Sequence, residues 1–418
     1  MRVGHGCALL PVPDGSALGG YADRHGGSTG VLGELQVDCL CFSGARGRLV
    51  LVVAEVVCVN ADLAEEVRRR VRDAVSAVDV WVCATHTHSG PDVGCVAGGG
   101  PTPARWRRAI GEAAVEAARA AADREHECAG RLHTGTLQGI GSHRGRDDGE
   151  HRVSVDVVSC VGAGGEFEGV LAVVPVHPTV LPAASTLVSG DLAAAIRTAL
   201  RRRLGSPWVV VATGAAGDIS TRHTRRAQTI DECRRLGVEG AEQIAALMHG
   251  PPAPIWERDG GGCAASRRTL SVAARRQDPG ELLRLRETLE REHARELQTG
   301  TTATARIVET ALQGVEVAQA AEARSVALEL SAARVGRLAL FGIGAEPYHS
   351  FCSQLRDRCA DPSVVLGYVN GHVGYLPDGA AYANDPTAYE VLSSLLPPEA
   401  AATTLAALTE LLPDPTED

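Results

Sequence analysis

The order of apolar and amphipathic segments between residues 49 and 84 places the strongest constraint on the fold. An apolar run at 49–59 is followed by a segment with the 3.6-residue period of a helix, and a second apolar run follows at 80–84. Asn60 stands where it can cap the helix, whose apolar stripe consists of Leu63, Val67, Val71, Ala74 and Val78. This strand–helix–strand order favours a layered α/β domain.

The rest of the chain is predicted to alternate between strands and helices in the same way. Further strands are expected at 31–41, 130–138, 153–160, 170–176, 208–212, 326–330, 338–343 and 363–368. Helices are expected at 102–123, after Asp191, after Thr229, at 279–297 and at 348–358. We therefore expect an α/β fold, a layered mixed β-sheet domain with flanking helices and an active site at the strand carboxyl ends. Residues 1–418 are predicted to form a single domain, with a less regular helical excursion at about 225–320.

Composition excludes several classes of function. The net charge is −10, and only 14 residues are Phe, Tyr or Trp, so neither nucleic-acid binding nor base stacking is expected. The chain has no lysine, which excludes a Walker A lysine, a pyridoxal Schiff base and a lysine nucleophile. No apolar run reaches the roughly 18 residues that a membrane span needs, so no membrane partner is expected.

Two further expectations concern the compartment and the cysteines. The segment MRVGHGCALLPVP lacks the long apolar region of a secretory signal, so we expect a cytoplasmic protein. The 12 cysteines include no Cys-x-x-Cys pair, and several lie inside apolar runs. We expect buried thiols there, neither disulfides nor zinc ligands. The oligomeric state is not readable from the sequence.

The stretch WVCATHTHSGP, at 81–91, carries the first candidate site. In an extended backbone His86 and His88 point to the same side, roughly 7 Å apart from the strand rise. Two arrangements fit: both imidazoles face one metal ion, or one binds the ion while the other transfers a proton. A histidine pair that is merely hydrogen-bonded at the end of a buried strand is the structural alternative.

Other apolar strands also end in polar or ionisable residues, at His177, at Asp218 to Ser220 and at Glu346. Ligands gather outside the carboxyl ends of strands in α/β sheets, so these residues can share one site. Two or three histidines and a glutamate are typical of a zinc shell with a position open to water. The turn GAAGDIST lacks the glycine spacing of a dinucleotide-binding loop. Ser220 is not in the Gly-x-Ser-x-Gly motif that is typical of a serine nucleophile. A hydrogen-bonding Ser220, with Asp218 holding the loop, fits better, and a plain tight turn is the alternative.

Taken in order, six short motifs resemble those of neutral ceramidases, a non-lysosomal family. They are HTHSGP at 86–91, HPT at 177–179, SGD at 189–191, AAGDIS at 215–220, GAEPY at 344–348 and GYLPDGAAY at 374–382. The resemblance runs from about residue 3 to 390 and implies a ceramidase-like catalytic domain. It further implies a zinc amidase whose Zn²⁺ ligands are His86, His177, Glu346 and Tyr375. In the same comparison His88 transfers protons, Ser220 assists at the scissile amide and Arg144 lines the pocket.

The chain departs from that family in ways that bear on its substrate. Thr221 follows Ser220 where proline is usual, and His143 replaces an asparagine before Arg144. The family is usually secreted and has an additional immunoglobulin-like domain, and neither feature is expected here. We therefore expect hydrolysis of an amide bond in a small soluble metabolite. An amide-forming or acyl-transfer enzyme with the same site is the alternative, and a non-catalytic binding protein is a third reading.

Overall fold

The computed structural model of the protein describes residues 1–147, 149–258, 260–300 and 302–414. The strands are β1 (Arg2–Leu10), β2 (Gly30–Val31), β3 (Leu35–Gly44), β4 (Gly47–Ala54), β5 (Asp79–Ala84), β6 (His126–Glu127), β7 (Ala129–Gln138), β8 (Ser142–His143), β9 (Arg152–Val161), β10 (Phe167–Val174), β11 (Leu187–Val188), β12 (Val209–Thr213), β13 (Ile219–Ser220), β14 (Ala253–Trp256), β15 (Cys263–Ala273), β16 (Ser325–Val335), β17 (Leu338–Ile343), β18 (Glu346–Pro347), β19 (Ser363–Leu366) and β20 (Tyr375–Leu376). The helices are α1 (Ala61–Val75), α2 (Ala104–Asp123), α3 (Asp191–Leu204), α4 (Ile230–Leu247), α5 (Pro279–Thr299), α6 (Thr302–Ala320), α7 (Ser350–Arg358), α8 (Ala381–Asn384), α9 (Tyr389–Ser393) and α10 (Ala400–Leu411). The predicted α/β class is confirmed.

Three mixed sheets form the framework. Their strand orders are β5-β4-β3-β1-β6, β12-β10-β9-β7-β14 and β15-β16-β17-β19. Each sheet has a parallel pair at one edge, formed by β4 with β5, β10 with β12 and β17 with β19. The other neighbours in these sheets are antiparallel.

A shared apolar core joins the three sheets. Trp81 of β5, Leu171 of β10 and Leu340 of β17 belong to one buried cluster. Each buried side chain of this size contributes about 1.5–3 kcal/mol through removal of apolar surface from water. Because the cluster draws on all three parallel pairs, it fixes the strand ends relative to one another.

Helix α1 forms where the apolar period predicts it, with two differences. Asn60 precedes the helix, but its side-chain amide donates to the carbonyls of Val93 and Gly94 and makes no cap bond. The helix ends at Val75, because Ser76 adopts a left-handed conformation with φ 53°. Val78 therefore lies outside the helix and is 47% exposed.

The segment predicted as a helical excursion, about 225–320, also supplies strands. Helix α4 begins as predicted, with Thr229 accepting from the backbone N–H of Glu232. Strand β14 then joins the sheet of β7, and β15 pairs along its whole length with β16. Helices α5 and α6 follow. None of the helices in the described ranges combines the length and apolar character that a membrane span requires.

Candidate metal centre

Three of the predicted ligands converge just beyond strand carboxyl ends. His86 follows β5, His177 follows β10 and Glu346 follows β17. The carboxylate Oε2 of Glu346 lies 3.1 Å from His177 Nε2 and 3.3 Å from His86 Nε2. All three side chains are buried, with residue exposures of 4% or less. His86, His177, Glu346 and the adjacent Tyr375 form a candidate metal site, which we refer to as the metal centre.

The side chains of the two histidines after β5 approach each other because the backbone there is not extended. Strand β5 ends at Ala84, and His86 adopts a left-handed backbone with φ 63°. The ring nitrogens His86 Nε2 and His88 Nε2 consequently lie only 3.3 Å apart. His86 and His88 therefore do not lie on one face of an extended strand, as the sequence predicts, although both rings do face one point. The strained φ is a feature that often accompanies functional sites.

Backbone carbonyls orient the imidazoles of His86 and His177. His86 Nδ1 lies 2.5 Å from the carbonyl of Val57, and His177 Nδ1 lies 2.6 Å from that of Ala216. A carbonyl only accepts, so each Nδ1 carries a proton and each Nε2 is the ring nitrogen that faces the centre. This arrangement is typical of histidines that bind metal ions.

The same geometry sets the charge of the carboxylate. Burial alone would raise the pKa of Glu346, but the adjacent His86 and His177 imidazoles outweigh burial and hold that pKa well below its usual value. For His177, burial and repulsion by His86 lower the pKa to about 4. The centre therefore combines a carboxylate with two imidazoles, which is a donor set suited to a divalent cation.

Tyr375 reaches the centre from β20, which pairs with β18 so that Tyr375 lies directly beside Glu346. Its hydroxyl is 3.5 Å from His177 Nε2 and accepts from Arg144 Nη1 at 3.1 Å. Burial and the charge of Glu346 raise the pKa of Tyr375 well above its usual value. The Arg144 guanidinium lowers this pKa only in part, so a phenolate at this position requires a bound cation as well.

Arg144 is held by a buried acidic partner that sequence reasoning missed. Its Nε lies 2.8 Å from Glu390 Oε1, and the two side chains are 14% and 5% exposed. Arg144 Nη1 also lies 3.4 Å from His177 Nε2. The structure thus places Arg144 at the edge of the metal centre, oriented by Glu390. No sequence signal indicated Glu390, because it lies in the short helix α9.

His88 lies at the edge of the metal centre, beside His86. Burial, with repulsion from His86 and His177, lowers the pKa of His88 well below its usual value. Its Nδ1 is buried and has no hydrogen-bond partner in the described part of the chain. The close approach of the His86, His88 and His177 rings also allows His88 to bind an ion as a third imidazole.

Ser220 and Asp218 lie on the turn after β12. Ser220 forms a backbone bridge with His177, and its hydroxyl oxygen accepts from the N–H of Arg222. Asp218 accepts from the N–H of His349 at 2.6 Å, which ties the turn to the segment after β18. Burial raises the pKa of Asp218 to about 6. This placement agrees with Asp218 holding the loop, as the sequence indicates.

The SGD motif has a supporting role that the sequence left open. The carboxylate of Asp191 accepts from the backbone N–H groups of Val180, Leu181 and Leu192. The first two follow His177 closely, so Asp191 fixes the loop that begins with His177. Asp191 has φ 49°, a second left-handed residue near the centre.

Sequence reasoning also missed a second cluster beside the metal centre, formed by Cys58, Cys95 and His372. Its donor atoms lie within 4.8 Å of one another. Cys95 Sγ is 3.3 Å from His372 Nε2. Hydrogen bonding from Cys58, despite burial, lowers the pKa of the Cys95 thiol well below its usual value. The three residues lie in separate loops with no shared spacing, so the sequence gives no signal for them.

Two adjoining cavities open onto His88 and Tyr375. One, of about 530 Å³, is lined in part by apolar residues that include Val96, Val317 and Leu395. The other, of about 680 Å³, contains Ser220 together with four arginines, Arg144, Arg222, Arg225 and Arg306. A substrate bound across both cavities would lie over the metal centre with one apolar and one polar end.

Comparison with solved structures identifies the fold. The chain superposes on the crystal structure of neutral ceramidase from Pseudomonas aeruginosa with a TM-score of 0.75 and 17% identity, covering 98% of this chain and 73% of that one. A ceramidase complexed with C2 gives a TM-score of 0.74 and 17% identity, covering 100% and 76%. No protein-family model matches the sequence, and no curated protein matches it either. The chain therefore has a neutral ceramidase-like fold.

Proposed function

We propose that this protein is a metal-dependent amide hydrolase, with Zn²⁺ as its metal. The observation that carries the proposal is the convergence of His86 Nε2, His177 Nε2 and Glu346 Oε2 at distances of 3.1–3.3 Å. Three electron-pair donors in contact, all buried, repel one another unless a cation or a proton lies between them. The similarity to solved ceramidases supports amide cleavage as the chemistry.

The residues present fit a zinc ion. His86 and His177 have their Nδ1 atoms fixed by carbonyls, so both Nε2 lone pairs are directed inward. Glu346 and Tyr375 complete a set of four protein donors. When bound there, zinc would polarise an amide carbonyl and lower the pKa of a bound water to about 7.

The remaining residues have roles that follow from their positions. His88, neutral and at the mouth of the cavities, accepts a proton from the attacking water and returns it to the leaving amine. Ser220 and Arg144 line the cavity of about 680 Å³ and supply hydrogen-bond donors to the oxygen that gains charge. Arg144 also stabilises negative charge on the Tyr375 oxygen.

We propose a small soluble N-acylated amide as the substrate, and a cytoplasmic protein that needs no membrane or nucleic-acid partner. Cavities of about 530 and 680 Å³ have the size of typical small-molecule sites. The apolar lining of the first suits an acyl group, and the arginines of the second suit a polar amine portion.

Metal analysis combined with a substrate screen tests the proposal. Purified wild-type protein should contain zinc, and His86→Ala and His177→Ala should each lose about one equivalent. His133→Ala is the matched control, because His133 is equally buried but hydrogen-bonds to Ser159 away from the centre. The wild type should release free acid from N-acyl substrates of graded chain length. A protein without metal, inactive when zinc is added, would contradict the proposal. Amide formation from acid and amine together would instead identify the amide-forming alternative.

A further inference from the structure

Cys58, Cys95 and His372, which we call the thiol site, lie beside the metal centre, and Cys95 and His372 line the same cavity of about 530 Å³ as His86 and Glu346. Cys58 follows β4, Cys95 lies in the loop after the His88 turn and His372 lies in the loop before β20. The thiol site and the metal centre share a segment of the chain. Val57 orients His86 of the metal centre, while its neighbour Cys58 belongs to the thiol site.

The donor geometry of the thiol site is close to that of a bound thiophilic ion. With bonds of about 2.0–2.3 Å to a tetrahedral zinc, neighbouring donors lie roughly 3.3–3.8 Å apart. Cys95 Sγ and His372 Nε2 are already 3.3 Å apart, and all three donors fall within 4.8 Å. A small contraction therefore brings the set to binding distance.

Two observations separate this cluster from ordinary buried thiols. His372 is 4% exposed, and its Nδ1 has no hydrogen-bond partner in the described residues. Cys128 and Cys160 also contact each other, but among the described residues they belong to no group with metal-ligand geometry. The imidazole is thus what distinguishes the thiol site.

Glu346 lies between the metal centre and the thiol site. Its Oε2 faces His86 and His177, whereas its Oε1 lies 3.9 Å from His372 Nε2. A carboxylate with one oxygen on each side can serve as a bridging ligand. It gives the thiol site a fourth donor besides two sulfurs and one nitrogen.

We propose that Cys58, Cys95 and His372 bind a second thiophilic divalent cation, such as Zn²⁺, with Glu346 bridging it to the metal centre. This assignment departs from the sequence-based expectation that the cysteines are not ligands. It does not depend on which reaction the metal centre catalyses.

Metal stoichiometry and cobalt spectroscopy test this site in the full-length protein. Wild-type protein should hold about two zinc equivalents, and Cys58→Ala and Cys95→Ala about one. Cys160→Ala is the matched control and should keep both, because it removes a buried thiol that also contacts another thiol. Cobalt-loaded wild type should show a thiolate-to-cobalt charge-transfer band that disappears in Cys95→Ala and persists in His177→Ala. Since His177 belongs only to the metal centre, failure of the proposed hydrolase would not mimic failure of the thiol site.

Alkylation of the wild type keeps the test valid if the variants fold poorly. Cys95 is partly exposed, so it should react with iodoacetamide after chelation and be protected when zinc is restored. Equal reactivity in both states would overturn the proposal. A single zinc equivalent in wild type, or a Cys58–Cys95 disulfide found by mass spectrometry under non-reducing conditions, would overturn it as well.

A separate observation concerns the polar cavity. Arg222 and Arg225 line it, yet neither makes an ion pair with a carboxylate in the part of the chain that the structure describes. Arg222 donates to the backbone carbonyl of Arg144 and Arg225 to that of Thr179. Asp23 is the acidic residue that lines this cavity, and it is engaged by Arg306 and Gln313. The cavity is therefore positive although the chain carries a net charge of −10.

We infer, on the basis of the proposed hydrolase function, that the substrate carries an anionic group on the amine side of the scissile amide. Matched substrates with a carboxylate, a phosphate or a neutral amide at that position give the test. The anionic substrates should have at least about tenfold higher kcat/KM, which corresponds to one arginine contact to a charged group. The carboxylate and phosphate arms distinguish the two kinds of anion.

Arginine variants locate the effect. Arg222→Gln and Arg225→Gln should reduce the anionic-to-neutral ratio of kcat/KM, whereas Arg291→Gln, on the exposed face of α5, should not. An equal or higher kcat/KM for the neutral substrate would overturn this inference. The proposed hydrolase function would still stand. If no substrate is hydrolysed, calorimetric binding of the anionic and neutral amines still decides the preference.

Discussion

Glu346 and Tyr375 are direct register partners in the parallel pair of β18 and β20, although helix α7 and strand β19 separate them along the chain. The backbone thus places two proposed ligands side by side independently of any ion. His86 and His177 are likewise fixed by the carbonyls of Val57 and Ala216. The metal centre is consequently organised by main-chain contacts, and changes at its edge can be tested without dismantling it.

His88→Gln should lower kcat by about 10²–10⁴-fold, the usual contribution of a general base, while the zinc content stays unchanged. Burial, with repulsion from His86 and His177, lowers the pKa of His88 well below 6.5, so the imidazole is already neutral at neutral pH. Wild-type kcat/KM should therefore show no fall between pH 8 and 6.5 that is due to His88. His133→Gln is the control. Loss of one zinc equivalent in His88→Gln would instead identify His88 as a third imidazole ligand.

Arg144→Met should destabilise the protein by about 3–5 kcal/mol, because it leaves the buried carboxylate of Glu390 without its cation. Arg144→Met/Glu390→Met should recover most of that stability, since it removes both charges from the buried pair. The rate should stay low in the double variant, because the donor next to Tyr375 is absent. Urea unfolding and kcat measurements on both variants check this. Recovery of the rate along with stability would show that Arg144 only positions its surroundings.

Local sequence patterns predict strands well where both faces are buried and poorly where one face is solvated. Strand β5 is buried at every position and is correctly predicted. Strand β15 is missed because Arg267, Arg268 and Thr269 interrupt its apolar pattern. It is a strand because β16 pairs with it at every position from Cys263 to Ala273, a tertiary contact that no local window contains.

The residue types and their positions predict which side chains form the metal centre. The backbone geometry that brings them together is not predictable from local sequence. The positions of His86, His177 and Glu346 after apolar runs are visible in the sequence. The left-handed φ of 63° at His86 is not visible in the sequence. This conformation brings His88 Nε2 to 3.3 Å from His86 Nε2. The role of Asn370 is not visible either, and its side-chain oxygen accepts from Val82 and thereby secures the edge of β5. Such contacts depend on loops that are distant in sequence.

Asp218→Asn should stabilise the protein at neutral pH. Burial raises the folded-state pKa of Asp218 from 3.8 to about 6, so the folded state favours the protonated carboxyl. This contribution to the free energy of unfolding is complete below pH 3.8 and is lost as the pH rises through 6. Asparagine does not ionise and can still accept from His349. The free energy of unfolding of the variant, relative to wild type, should therefore increase by up to about 3 kcal/mol between pH 4 and 8. A difference that stays flat between pH 4 and 8 would contradict the prediction.

Gly20→Ala should impair catalysis through His88 more than it impairs folding. Gly20 has φ 97°, and an added Cβ would lie 2.4 Å from His88 Cγ, so the imidazole must move. Gly26 supplies a close control, because its φ is 85° and nothing lies within 4 Å of an added Cβ. Both substitutions carry a backbone penalty of about 1 kcal/mol for a left-handed alanine, which thermal or urea unfolding should show. Only Gly20→Ala should lower kcat, by about tenfold or more, since a displacement of about 1 Å in a catalytic group can cost about 10²-fold. Equal kcat values for the two variants would mean that the position of His88 does not limit the reaction.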